Sequence, residues 1–203
     1  EGGEVALVAE NRGSISGCSI GAQYSCSRQC AGVALENSGS IEGSDFYGIV
    51  SGCKAGGIVG EQAGGVIRNC LSRGRFINCT APSGGIAAMM TGGSIEKCFI
   101  DITAEGGESI CSVCGSKASV GTVGVTQCYS AEGAGEPMGD STPVTKKELS
   151  EMKLPGFDFT AVWVYEDGAL RLRSVEDAPI AEPPKEETPT AAPTAAPTAA
   201  PTD

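Results

Sequence analysis

The chain has 203 residues, among them 30 glycines, 11 prolines, 10 cysteines, 5% aromatics and no histidine, with a formal net charge of −11. Glycine at about twice its usual share, without a three-residue period, indicates many tight turns and excludes both collagen and a helical bundle. The acid excess repels phosphate backbones, so nucleic acid is not an expected partner, and the lack of histidine excludes Ser-His-Asp and Cys-His catalysis, HExxH zinc sites and His-containing zinc fingers.

From the first residues onward the chain repeats itself. The isoleucines of Gly-Ser-Ile-like tripeptides, Ile15, Ile41, Ile67 and Ile95, are followed by Val125 in an equivalent context, at spacings of 26, 26, 28 and 30 residues. Three positions after each anchor stand Cys18, Ser44, Cys70, Cys98 and Cys128. A second shared block precedes each anchor: LVAENRGSI ending at Ile15, VALENSGSI at Ile41, IVGEQAGGVI at Ile67 and IAAMMTGGSI at Ile95. The copy from about Cys111 is the most divergent.

Each copy thus reads as a short apolar run, a polar turn centred on Asn or Gln, a Gly, and a second short run ending at Cys. Two strands joined by a turn cannot bury one apolar face alone, so equivalent faces must stack on neighbouring copies. Stacking at a strand spacing of about 4.8 Å gives parallel pairing, and right-handed winding is the default. The expected fold is all-β: a short parallel β-solenoid of about five coils over residues 1–135. The scarcity of aromatics in the coils fits a narrow interior filled by Ile, Val, Leu, Ala and Cys.

Phe157, Phe159, Trp163 and Tyr165 cluster after the repeats, in a small α+β cap expected over residues 136–173. Thr145 to Glu148 forms a Thr-x-x-Glu capping box that predicts a helix through about Met152. The alternation from Ala161 to Arg173 predicts a hairpin turning near Asp167 and Gly168. Helix and hairpin are expected to plug the end of the solenoid, where strand edges would otherwise be exposed. Residues 174–203, rich in Pro, Thr and Ala, predict a disordered stalk of polyproline character. The sequence holds no transmembrane or signal segment, and it opens inside a repeat without an initiating Met. It therefore reads as a processed or excised piece of a longer polypeptide with further coils upstream.

The coils resemble the GLUG-motif repeat of bacterial surface proteins, whose pattern is roughly Gly-Leu-Val-Gly-x-Asn-x-Gly-x-Ile-x-x-Cys. The first coil matches it at Leu7, Val8, Asn11, Gly13, Ile15 and Cys18, and the second at Gly32, Val33, Asn37, Gly39 and Ile41, with Ser44 for the Cys. The third matches at Gly57, Ile58, Val59, Gly60, Gly65, Ile67 and Cys70, with Gln62 near the Asn position. The resemblance covers about residues 5–135. It implies a secreted, often Gram-positive or gut-bacterial, cell-surface protein with non-catalytic repeats, joined in some relatives to immunoglobulin-cleaving metallopeptidases and in others to adhesins.

Few residues carry candidate chemistry. Ten cysteines are compatible with buried thiols acting as small hydrophobes or with disulfides, for which Cys26 with Cys30 and Cys111 with Cys114 are the local candidates. Cys111-Ser-Val-Cys114 is a lone CxxC without a second pair, and reads as packing or a structural bridge rather than a redox or zinc site. Along the outward column Ser16, Glu42, Arg68, Glu96 and Thr126, the two glutamates flank Arg68. They read either as a carboxylate pair for glycoside chemistry or, preferably, as a surface salt-bridge ladder. Asn78-Cys79-Thr80 fits a glycosylation sequon that a bacterial source would leave unused, and Met89 with Met90 reads as core and edge filling.

No catalytic residue, metal ligand or cofactor is expected, and no binding residue is assigned. The expected function is a non-catalytic adhesive or structural scaffold at the cell surface, with a host glycan, a surface protein or another wall component as partner. The alternative is a carbohydrate-active enzyme, a polysaccharide lyase or glycoside hydrolase, on a β-solenoid.

Overall fold

The computed structural model describes residues 3–119, 122–136 and 141–173. The Pro/Thr/Ala-rich segment 174–203 lies outside the described residues, and with it the expectation of a disordered stalk.

The repeat is a parallel β-solenoid of about five coils, as its period predicts, but the coils have four strands rather than two, the last one contributing only a bridge at Cys111 to the first wall. Strands stack into four walls. Wall 1 holds Glu4–Val5, Gln29–Ala31, Lys54–Gly56 and Thr80–Gly84; wall 2 holds Val8–Asn11, Ala34–Asn37, Val59–Gln62, Ala87–Met90 and Cys114–Lys117. Wall 3 holds Ser14–Ser16, Ser40–Glu42, Val66–Arg68, Gly93–Glu96 and Val123–Thr126. Wall 4 has the longest strands, Ser19–Ser25, Asp45–Ser51, Leu71–Ile77 and Phe99–Glu105, followed by Tyr129–Ala131 and Thr142–Val144. The shared sequence blocks correspond to walls 2 and 3. The other two walls vary more from coil to coil, which is why the sequence suggests only two strands per copy.

The anchor column has the expected register, Ile15 on Ile41 on Ile67 on Ile95 on Val125. Behind it Cys70, Cys98 and Cys128 form an interior thiol column, each sulfur within 4.0 Å of a carbonyl of the preceding coil. Burial, and then the neighbouring thiols of Cys128 and Cys70, push the Cys98 thiol well up. Of the two local pairs, Cys26 and Cys30 are joined by a disulfide. Cys111 and Cys114 are not joined; both are buried, and Cys114 opens the last strand of wall 2.

The polar middle of the repeat is not a solvent turn. Asn11, Asn37 and Gln62 stand in register on wall 2 and are buried, so their amides must satisfy one another. Asn11 donates to the side-chain oxygen of Asn37 at 2.7 Å, Asn37 to that of Gln62 at 2.8 Å, and Gln62 to the Gly64 carbonyl at 2.5 Å. Fully buried Met90 closes the ladder one coil on, so the Met pair fills core at Met90 and only partly buries Met89.

Turning from wall 3 to wall 4 requires a left-handed residue in every coil: Gly17, Gly43, Asn69, Lys97 and Gln127 all have φ between 53° and 63°. Gly39 of the motif answers a different need. A Cβ there would lie inside 3 Å of the Gly13 backbone in the coil below, so only glycine lets the coils close up.

The few aromatics of the coils are not excluded from the interior, since Phe46 and Phe76 are fully buried in it. Gly32 makes the room: a Cβ there would lie inside 3 Å of Phe46. The C-terminal elements form where predicted, a helix at Lys146–Ser150 with the Thr145–Glu148 capping box and a hairpin of Trp163–Glu166 with Ala169–Leu172. Asp167 and Gly168 at its turn have φ of 51° and 78°, the pair of positive values that a type I′ turn needs.

Their position corrects the expectation of an end plug. Leu71, Phe99 and Tyr129 point outward from wall 4, and Leu149, Leu154, Phe157, Trp163 and Leu170 of the cap pack on them as a second core. The cap therefore lies along the side of the solenoid, because that is where the coils expose apolar residues. Trp163 is fully buried there and stacks on Phe157 at 4.6 Å. Among the described residues no helix is long and apolar enough to cross a membrane.

Candidate functional site

The outward column of wall 3 has the predicted register, with Arg68 between Glu42 and Glu96. It closes on one side only. Arg68 donates from Nε and Nη2 to the two carboxylate oxygens of Glu42 at 3.1 and 3.0 Å, whereas Glu96 accepts from the Ser94 hydroxyl at 2.8 Å. The two glutamates are two coil spacings apart, roughly 10 Å, with a guanidinium held between them. This is a surface ion pair, worth under about 1 kcal/mol, and it forms no enclosed site. Asn78 of the sequon is exposed at a left-handed corner with φ 50°, and Cys79 beside it is buried.

A more concave arrangement lies where the hairpin crosses wall 4. A cleft of about 340 Å³ is lined by Ser19, Asp45, Leu71 and Arg73 from the wall, by Arg171 from the second hairpin strand and by Arg173 just after it. Strand alternation turns Asp45, Tyr47, Arg73 and Asp101 to the outside, and the parallel register sets Tyr47 beside Arg73 and Arg73 beside Asp101.

The polar groups in and around this cleft are held by their neighbours. Arg73 donates from Nη2 to the Leu170 carbonyl, and its Nε lies 3.5 Å from Asp101 without hydrogen-bond alignment. Arg173 donates from Nη2 to the Phe159 carbonyl at 3.1 Å, and its buried Nε also has no hydrogen-bond acceptor. Burial pushes the Asp45 carboxyl above the usual aspartate range, opposed by the Ser19 hydrogen bond and the positive charge of Arg73.

Next to the cleft, Tyr47 is 52% exposed, far more than the other aromatic rings of wall 4. The hydroxyl end of its ring lies against Gly21 in the preceding coil, where a Cβ would collide with two ring carbons and the hydroxyl oxygen. The ring is thereby supported on Gly21 while about half of it stays open to solvent. An aromatic platform beside guanidinium and carboxylate groups suits a sugar ring, whose apolar face stacks on the aromatic while its hydroxyls meet planar donors and acceptors.

None of these residues stands out in the sequence. Asp45, Arg73 and Arg171 are far apart in the chain; the coil register sets the first two near each other, and the side-on position of the cap adds Arg171. No protein-family model matches the chain, and no curated protein is similar to it.

Proposed function

We propose that this chain is a non-catalytic surface module, an adhesive scaffold whose cleft beside Tyr47 engages a sugar unit of a glycan. The observation that carries the reading is the supported, half-exposed Tyr47 ring next to the Asp45, Arg73 and Arg173 cleft. The wall that bears these groups is bonded coil to coil, so the site is rigid before any ligand arrives, which lowers the ordering cost of binding. The resemblance of the coils to GLUG repeats supports a secreted, cell-surface setting.

A second reading, a carbohydrate-active enzyme, is favoured by one observation: Asp45 has a raised carboxyl beside an arginine in a cleft, a pattern that general acids share. A glycan-array screen followed by a depolymerisation assay on the bound glycan separates the two. The binding reading expects a glycan whose capture falls at least tenfold in Tyr47→Ala and that is not cleaved. Cleavage of the glycan abolished by Asp45→Asn would establish the enzyme instead, and capture unaffected by Tyr47→Ala would remove the cleft from the account.

A further inference from the structure

Independently of the cleft, three sulfurs meet in the interior of the solenoid. Cys26 and Cys30 flank the turn from wall 4 into wall 1, and Cys53 stands just before the next strand of wall 1, whose register sets Gln29 beside Lys54 and Cys30 beside Ala55. The sulfur atoms of Cys26, Cys30 and Cys53 all lie within 4.8 Å of one another. Cys30 and Cys53 are 0% and 1% exposed, and Cys26 is at the rim with 8%. A surface depression of about 300 Å³ lies on the outer face of wall 1, lined by Ser27, Arg28, Gln29, Lys54 and Thr80, which are chain neighbours of these cysteines, and by Glu4, whereas the three cysteines belong to the interior core.

Three sulfur donors converging from two coils are the parts of a soft-metal site, and Cys26 at the rim is the one nearest solvent. The group contains no nitrogen or oxygen ligand, so it favours a thiophilic cation that accepts three thiolates, and Cu(I) fits that description. Three thiolates around one monovalent ion leave two negative charges in excess; Arg28 is already paired with Glu4 at 3.4 Å, which leaves Lys54 to offset part of that excess.

We propose that Cys26, Cys30 and Cys53 form a redox-gated Cu(I) site, closed when Cys26 and Cys30 are joined and open when they are reduced. A dithiol reductant supplies two electrons and two protons; its own sulfurs join as a disulfide, the Cys26–Cys30 bond breaks, and both cysteines become thiols. Cu(I) then displaces the three thiol protons of Cys26, Cys30 and Cys53 and forms three copper–sulfur bonds. In the disulfide state Cys53 is the only one of the three that remains a thiol, and the site is lost.

The test is an anaerobic titration of dithiol-reduced protein with Cu(I) against a colorimetric Cu(I) chelator, followed in parallel by thiolate-to-copper absorption in the near ultraviolet. One equivalent per chain is expected to be withheld from the chelator by reduced protein and released to it by disulfide-intact protein. Cys26→Ser, at the rim, and Cys53→Ser, inside, each lose that equivalent, while Cys98→Ser in the interior thiol column keeps it. Circular dichroism checks that each variant is folded; if Cys53→Ser is not, Cys26→Ser and the oxidised wild type decide. Absence of a withheld equivalent, its persistence in Cys26→Ser, its loss in folded Cys98→Ser, or equal capture by disulfide-intact protein overturns the site.

Discussion

Asn37 donates to Gln62 and accepts from Asn11, so it is the middle link of a buried amide ladder. Truncating it leaves the Gln62 carbonyl without its donor and removes one of the two acceptors of Asn11, whose other partner is the Ser40 carbonyl. A buried polar group left unsatisfied costs about 1–3 kcal/mol. Asn37→Ala is therefore expected to destabilise by roughly 2–3 kcal/mol, read as a lower urea midpoint with an unchanged slope. Substitution of an exposed neighbour such as Glu36 should leave the midpoint nearly unmoved. The repeated Asn and Gln are legible in the sequence as a position, but their role is not, because a polar residue between apolar runs looks the same whether it faces water or its own copies. The glycines of the motif are similar: their count signals close approach, while Gly39 against the Gly13 backbone shows which approach is meant.

At the scale of the element, the corner from wall 3 to wall 4 is left-handed in all five coils, but only the first two provide glycine. A side chain in that conformation costs roughly 1 kcal/mol relative to glycine. Lys97→Gly is thus expected to stabilise by up to about 1 kcal/mol, detected as a rise in thermal midpoint. A fall would show that the Lys97 side chain contributes more than its backbone costs. The anchor column was legible because Ile or Val recurs at every copy. The corner was not, because Asn69, Lys97 and Gln127 share a dihedral angle and no side-chain property.

Charges at the ends of elements set the response to acid. Hydrogen bonds from Arg75 hold Glu105 below the usual carboxylate range, the Thr145 amide and then its hydroxyl hold down Glu148, and the Ala161 and Thr160 amides hold down Asp158. Each is a carboxylate with a lower pKa folded than unfolded. Its contribution is complete above the unfolded value, about 4, and disappears as the pH falls through the folded value. Asp45, whose carboxyl is raised, acts in the opposite sense, because ionising it costs more in the folded state. Thermal midpoints should accordingly be lower at pH 3 than at pH 5, with the three depressed groups outweighing one; a higher midpoint at pH 3 would mean that Asp45 dominates.

For the whole molecule the decisive fact is that the cap packs on the side of the stack. Leu71, Phe99 and Tyr129 come from three successive coils, and the cap residues span them. Since Trp163 is the chain's single tryptophan, its fluorescence reports the cap alone, whereas far-ultraviolet circular dichroism reports mainly the solenoid. Leu71→Asp, which places a charge in the second core while leaving the first intact, is expected to shift the fluorescence to the red with little change in dichroism. Simultaneous loss of both signals would make cap and coils one cooperative unit. The helix, its capping box and the hairpin turn were each legible from local sequence rules. Their docking was not, because outward apolar residues on wall 4 occupy the same alternating pattern as inward ones. For the same reason no sequence rule could bring Asp45 and Arg173 to one cleft.

The stack of coils also says something about reach. Each coil takes 26 to 30 residues and advances the axis by one strand spacing, so five coils extend only about 24 Å. A single 26-residue copy drawn out straight would cover roughly 85 Å. Distance is thus the quantity this architecture supplies least. What grows with every added coil is area: another row of outward side chains on each of four walls, set at a fixed interval beside the last.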